Sequence, residues 1–167
     1  MEYSFEFIGG KNNTYIIVTS SDVVYEIKFK PSDYLSDLNT LDNNLIFEFV
    51  IELLHKPDNI ALTLDKFLAK TISKIFIDFY SLNNELITVY ICDSSDGKHF
   101  VRKRKFDYWF EYFNDNSFVK FDDIVIDKNE NEFPISFIVK KNNPNLIKIY
   151  ENFINSVNEN SGEKFSS

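Results

Sequence analysis

Cysteine, methionine and tryptophan each occur once in this chain, and histidine twice. One cysteine, Cys92, cannot close an internal disulfide, which excludes a disulfide-stapled fold. His55 and His99 stand without HxxH or CxxC spacing, so no zinc site is expected. The carboxylate pairs Asp93/Asp96 and Asp122/Asp123 read as ordinary loop residues, and no metal is expected there either. Glycine and proline number 4 each, which excludes collagen-like and Pro/Gly-rich disordered classes. No apolar run approaches the roughly 20 residues that span a bilayer, so no membrane segment is expected. The stretch Met1–Glu6 has neither a basic region nor an apolar one, so a secretory signal is not expected. With the lone cysteine, that points to a reducing cytoplasm. The GxxxxGK[ST], GxGxxG and GxSxG patterns are missing too, and no cofactor is expected.

What is present is enough for a core. Hydrophobic residues make up 44% of the 167, aromatics 17%, and phenylalanine alone occurs 18 times. The length suits a single domain, read as 1–157, with a polar tail over 158–167 that frays. Net charge is −8, which repels nucleic acid and anionic lipid in bulk. The charge is uneven, however. Lys98, Arg102, Lys103, Arg104 and Lys105 place five of the 18 basic residues in one short run.

Periodicity gives the elements. Tyr3, Phe5 and Phe7 alternate with Glu2, Ser4 and Glu6, the mark of a half-buried strand. The turn residues Gly9–Asn13 lead to a second strand over 14–19, which makes a hairpin. Val23–Lys30 is a third strand, and 32–44 is a polar loop. Leu45–Leu54 alternates again as a fourth, with a helix as the rival reading. From Leu64 to Tyr80 the apolar residues fall on one helical stripe, with Thr63 as N-cap. Leu86–Cys92 is almost wholly apolar, so it reads as a central strand covered on both faces. A helix over 98–113, strands over 118–126 and 133–140, and a helix opening at Asn143-Pro144-Asn145 complete the chain. Pro134 favours an edge position for its strand. The order predicts an α+β fold: a mainly antiparallel sheet of about six to seven strands with about three helices, gathered on one face.

The stretch from Glu85 to Phe113 is the candidate site. A buried strand ends at Cys92, a polar loop follows, and a helix begins near Lys98. Helix starts expose free N–H groups and a positive dipole end, so they suit anions. Asp93, Ser95, Asp96, Lys98, His99, Arg102 and Arg104 are therefore the candidate residues for an anion or partner. The alternative is a solvated helix face whose cations pair with Asp93, Asp96 and Asp107. Phe106, Trp109, Phe110 and Phe113 form an apolar stripe that Arg102 and His99 extend, where an arginine can stack on a ring. Cys92, in a central strand, reads as a buried inert thiol rather than a nucleophile.

The run Val89–Lys98 (VYICDSSDGK), then Arg102 and Arg104, then Phe106-Asp107-Tyr108-Trp109-Phe110, resembles the signature of an uncharacterised bacterial family. That family is a domain of unknown function found mostly in Bacteroidota. The resemblance continues to the run 138–145 (IVKKNNPN). It implies no activity, substrate or catalytic residue; it implies that the strand–loop–helix is the shared feature.

Three functions follow from these residues. One is a small interaction module, in a bacterial defence or toxin–antitoxin-like unit, that contacts an anionic or protein partner through 86–113. The second is an RNA- or nucleotide-acting enzyme using the basic helix 98–108, which the net charge disfavours. The third is a homo-oligomer joined by an aromatic surface. The lack of a catalytic set favours the first.

Overall fold

The computed structural model describes residues 1–32, 43–62, 66–92 and 96–162. Strands β1 (Ser4–Gly9), β2 (Thr14–Val18), β3 (Val24–Pro31) and β4 (Ile46–His55) come first, then helix α1 (Lys66–Ser81). Strand β5 (Ile87–Ile91), helix α2 (His99–Phe113), strands β6 (Phe118–Ile126) and β7 (Glu132–Lys140), and helix α3 (Leu146–Gly162) follow. The strands form one seven-stranded sheet in the order β1-β2-β3-β4-β5-β7-β6. Every pairing is antiparallel except β4 with β5, which is parallel because α1 carries the chain back across the sheet. The fold is α+β, as the element order predicts. The loop expected over 32–44 and the cap expected at Thr63 lie mostly or wholly outside the described residues. No helix among the described residues is long and apolar enough to cross a membrane.

The first hairpin turns on Gly9 and Gly10 at φ +80° and +77°, where a side chain is strained. Alternation then sends Tyr15, Ile17, Tyr25, Ile27, Phe29 and Phe49 to one face of the sheet. Helix α1 buries its stripe there: Leu68, Ile72, Ile75, Phe76 and Phe79. Each contributes about 1.5–3 kcal/mol by leaving water, before ordering costs. Phe79 stacks on Phe29 at 3.8 Å between ring centres and 8° between planes. The Tyr80 hydroxyl, fully buried, lies 2.6 Å from the Ile138 carbonyl and 2.7 Å from Thr88 Oγ1.

Two expectations are corrected here. The helices do not gather on one face. Ile87 and Val89 of β5, with Ile135, Phe137 and Val139 of β7, make a second apolar surface, and Ile149 and Phe153 of α3 cover it. An all-apolar strand needs a cover on each side, and α3 supplies the second. Nor does Pro134 mark an edge. Strand β7 lies between β5 and β6, and β6 is the edge. Pro134 is tolerated because β5 has ended: the last pair is Ile91↔Ile135, and the Pro134 carbonyl accepts the Cys92 N–H at 3.0 Å. The donor that proline lacks falls beyond the ladder.

Candidate functional site

Helix α2 begins where β5 runs out. Asp96 Oδ1 accepts the Lys98 N–H at 3.0 Å, and Gly97 takes φ +70°, so the chain turns sharply into the helix. Lys98 is the N-cap residue and makes no side-chain cap bond. Of the candidate residues for an anion or partner, Asp93 and Ser95 lie outside the described residues.

A helix advances about 100° per residue, so neighbours in sequence point apart. The run of cations is dispersed by that rotation. Arg102 and Lys105, with Phe106 and Trp109, form an i, i+3, i+4, i+7 stripe along one cleft. Lys103 points to β6 instead, where Lys120 joins it. Lys103 reaches Asp122 at 3.0 Å, and Lys120 reaches Asp107 at 2.7 Å. The pairs Lys103–Asp107 and Lys120–Asp122 close the ring, and Ser136 donates to Asp122 at 2.6 Å. The two lysine side chains are only 12% and 8% exposed, so this is an internal brace between α2 and β6. Burial alone would raise the Asp122 pKa; the bonds from Lys120, Ser136 and Lys103 overcome it and hold the carboxyl below its ordinary value. Arg104 is exposed, on neither the cleft nor the brace. His99 is half-buried against Phe100, its Nδ1 without a hydrogen-bond partner among the described residues. Of the five candidate residues that are described, Asp96 meets the Lys98 amide and Arg102, and Arg104 stands apart from them.

What does converge is the cleft, about 430 Å³, within the range of small-ligand sites. It opens because β4 and β5 pair over only three positions, Ile46↔Ile87 to Glu48↔Val89, and then separate. Strand β4 stays with β3, and β5 stays with β7. Phe49, Ile51 and Leu53 form the floor, with Tyr25 beside them; Tyr90 and Cys92 form the end; α2 forms the wall. Tyr90 packs on Phe106 with ring centres 4.1 Å apart, and Lys105 Nζ lies 5.8 Å from the Trp109 ring centre. Within the cleft Lys105 lies over a ring, and Arg102 bridges to Asp96. That bridge is exposed on both sides, so water screens it. The Lys98 amide and Arg102 hold the Asp96 carboxyl below its ordinary value.

Cys92 is 1% exposed, and burial raises its thiol pKa against the opposing pull of Tyr90, Lys103 and Arg102. Burial, then Cys92, raises the Tyr90 phenol likewise. Neither group is primed for proton transfer or attack at neutral pH.

A second hollow lies between α1 and α2, bounded by Ile72, Phe76, Phe110 and Phe113. It holds about 60 Å³, room for water-sized groups only, and it carries no positive charge. It is a packing seam.

Sequence reasoning named Arg102 but missed Lys105, Trp109, Tyr90 and Phe49 as parts of one site. The stripe through Trp109 was visible in the sequence. That β4 supplies the floor was not, because nothing in its alternation says which strand stands beside it.

The molecule is thus an α+β protein with a cation-walled aromatic cleft where two parallel strands part. A family model described as "Family of unknown function (DUF6169)" matches residues 64–155, more than half of the chain, and the chain belongs to that family. The matched segment runs from α1 into α3, so it includes the end and wall of the cleft and excludes the β3–β4 floor. Comparison with curated proteins and with solved structures gave no match.

Proposed function

We propose that the protein is a binding module, and that its receptor is the cleft between β4 and the β5–α2 turn. Its partner presents a carboxylate, phosphate or sulfonate to Arg102 and Lys105, and a flat apolar body to Phe49, Tyr90 and Trp109. The observation that carries this reading is the juxtaposition of two cations and an aromatic lining in one cavity of ligand size. Electrostatics favours it: in a chain of net charge −8, positive charge facing a cavity selects anions locally. The reading sets the protein in a reducing cytoplasm, which its single, buried cysteine supports. The RNA- or nucleotide-acting alternative has less support, since α2 points its cations in three directions and His99 is outside the cleft lining.

Calorimetric titration with 1-naphthoate and its neutral isostere 1-naphthamide tests the proposal. Wild type should bind the anion more tightly by about tenfold, the worth of one charge-assisted hydrogen bond. Arg102→Ala/Lys105→Ala should erase that preference. Equal binding of the two probes, or an unchanged preference in the double variant, would refute it.

A further inference from the structure

The cleft is bounded by an unpaired strand edge, and this says what kind of partner fits it. In β4 the Ile46 carbonyl accepts the Ser32 N–H at 3.0 Å, so Ile46, Glu48, Val50 and Glu52 turn their backbone groups toward β3. The alternate residues turn theirs the other way. Consistently, the Phe29 N–H, opposite Phe49, points away from β4 and donates to the Asn12 carbonyl at 2.9 Å. Phe47 meets β5 on that side, but Ile51 and Leu53 lie past the last β4–β5 pair. Their N–H and C=O groups face the cleft with no strand beside them among the described residues. Two residues apart, they are spaced as a strand's own repeat requires. An open edge of this kind is a template for one more strand.

We infer that an extended acidic peptide segment of a partner protein adds to the sheet at Ile51 and Leu53, its acidic side chains meeting Arg102 and Lys105. This rests on the cleft being the receptor. Charge selects the occupant. Side chains of an inserted strand alternate between the two faces of the sheet. On the α2 side they meet Arg102, Lys105 and Trp109; on the other they meet Val50, flanked by Glu48 and Glu52. A strand with carboxylates on one face and β-branched residues on the other satisfies both. A basic strand fails on the α2 side; on the other face Glu52 is already paired with Lys28 at 2.9 Å, so the α2 side sets the charge preference.

The test uses four acetylated octapeptides, titrated while Trp109, the only tryptophan, reports by fluorescence. One alternates valine with glutamate, one alternates valine with lysine, and two are the glutamate peptide with alternate backbone amides N-methylated, at the valines in one register and at the glutamates in the other. The glutamate peptide should bind, and the lysine peptide should be weaker by about tenfold or more. N-methylation should weaken binding by about tenfold in at least one of its two registers, because it removes strand donors and leaves every side chain. Equal affinity with and without N-methylation in both registers would overturn strand addition. If 1-naphthoate binds and the glutamate peptide does not, strand addition falls while the anion cleft stands. If neither binds, both fall.

Discussion

Replacing Lys120 by Met removes one corner of the brace between α2 and β6 while keeping most of its bulk. The Lys120 side chain is 8% exposed, bonds both Asp107 and Asp122, and lies 5.6 Å from the Phe110 ring centre. At an effective dielectric near 20, a charge pair about 4 Å apart interacts by about 4 kcal/mol. Desolvation of the lysine offsets much of that, and the two aspartates are 31% and 43% exposed, so water screens what they lose. A net loss of about 1–3 kcal/mol follows, or about 3–9 °C in Tm for a chain of this size. The effect carries a pH signature. Asp122 has its folded pKa depressed, so its share of stability is present above the unfolded carboxylate range, near pH 4, and is lost as pH falls through the lower folded value. Urea denaturation should therefore find Lys120→Met weaker than wild type by a constant amount from pH 5 to 8. The gap should narrow steadily below pH 4. A gap under about 0.5 kcal/mol at pH 7, or one unchanged at pH 3, would refute the claim that these four charges hold α2 on the sheet.

Other consequences are simpler. Tyr80→Phe removes the hydroxyl shared by Thr88 and the Ile138 carbonyl inside the core, and should cost about 1–3 kcal/mol in urea unfolding; an unchanged midpoint would mean that hydroxyl is idle. Cys92, buried and with its thiol pKa raised, should react with Ellman's reagent at pH 8 far more slowly in the native than in the urea-unfolded protein. Equal rates would place the sulfur at the surface.

Much of this architecture was legible in the residues. Alternation marked β1 to β4, and the stripe from Leu68 to Phe79 marked α1, because each element has a single buried face. Leu86–Cys92 announced a strand covered twice, and that reading already required a helix on each side of the sheet. Gathering all three helices on one face contradicted it, and α3 resolves the conflict. Pro134 misled because a strand that outlasts its neighbour has an edge at its end even when it lies inside the sheet. The five clustered cations read as a patch only when written on a line; wound into a helix, they serve a cleft, a brace and the solvent separately. The cleft itself depended on where β4 and β5 part, a property of pairing between distant segments that no local pattern records.

The central claim is that recognition happens in the opening between β4 and β5, against Arg102 and Lys105. Amide and indole N–H resonances followed by NMR during titration with 1-naphthoate test it most directly. The account predicts shifts concentrated at Ile51, Tyr90 and the Trp109 indole, with Tyr108 and Tyr112, 63% and 66% exposed on the outer side of α2, left unmoved. Shifts centred on Tyr108 and Tyr112, with the β4 and β5 amides silent, would contradict it.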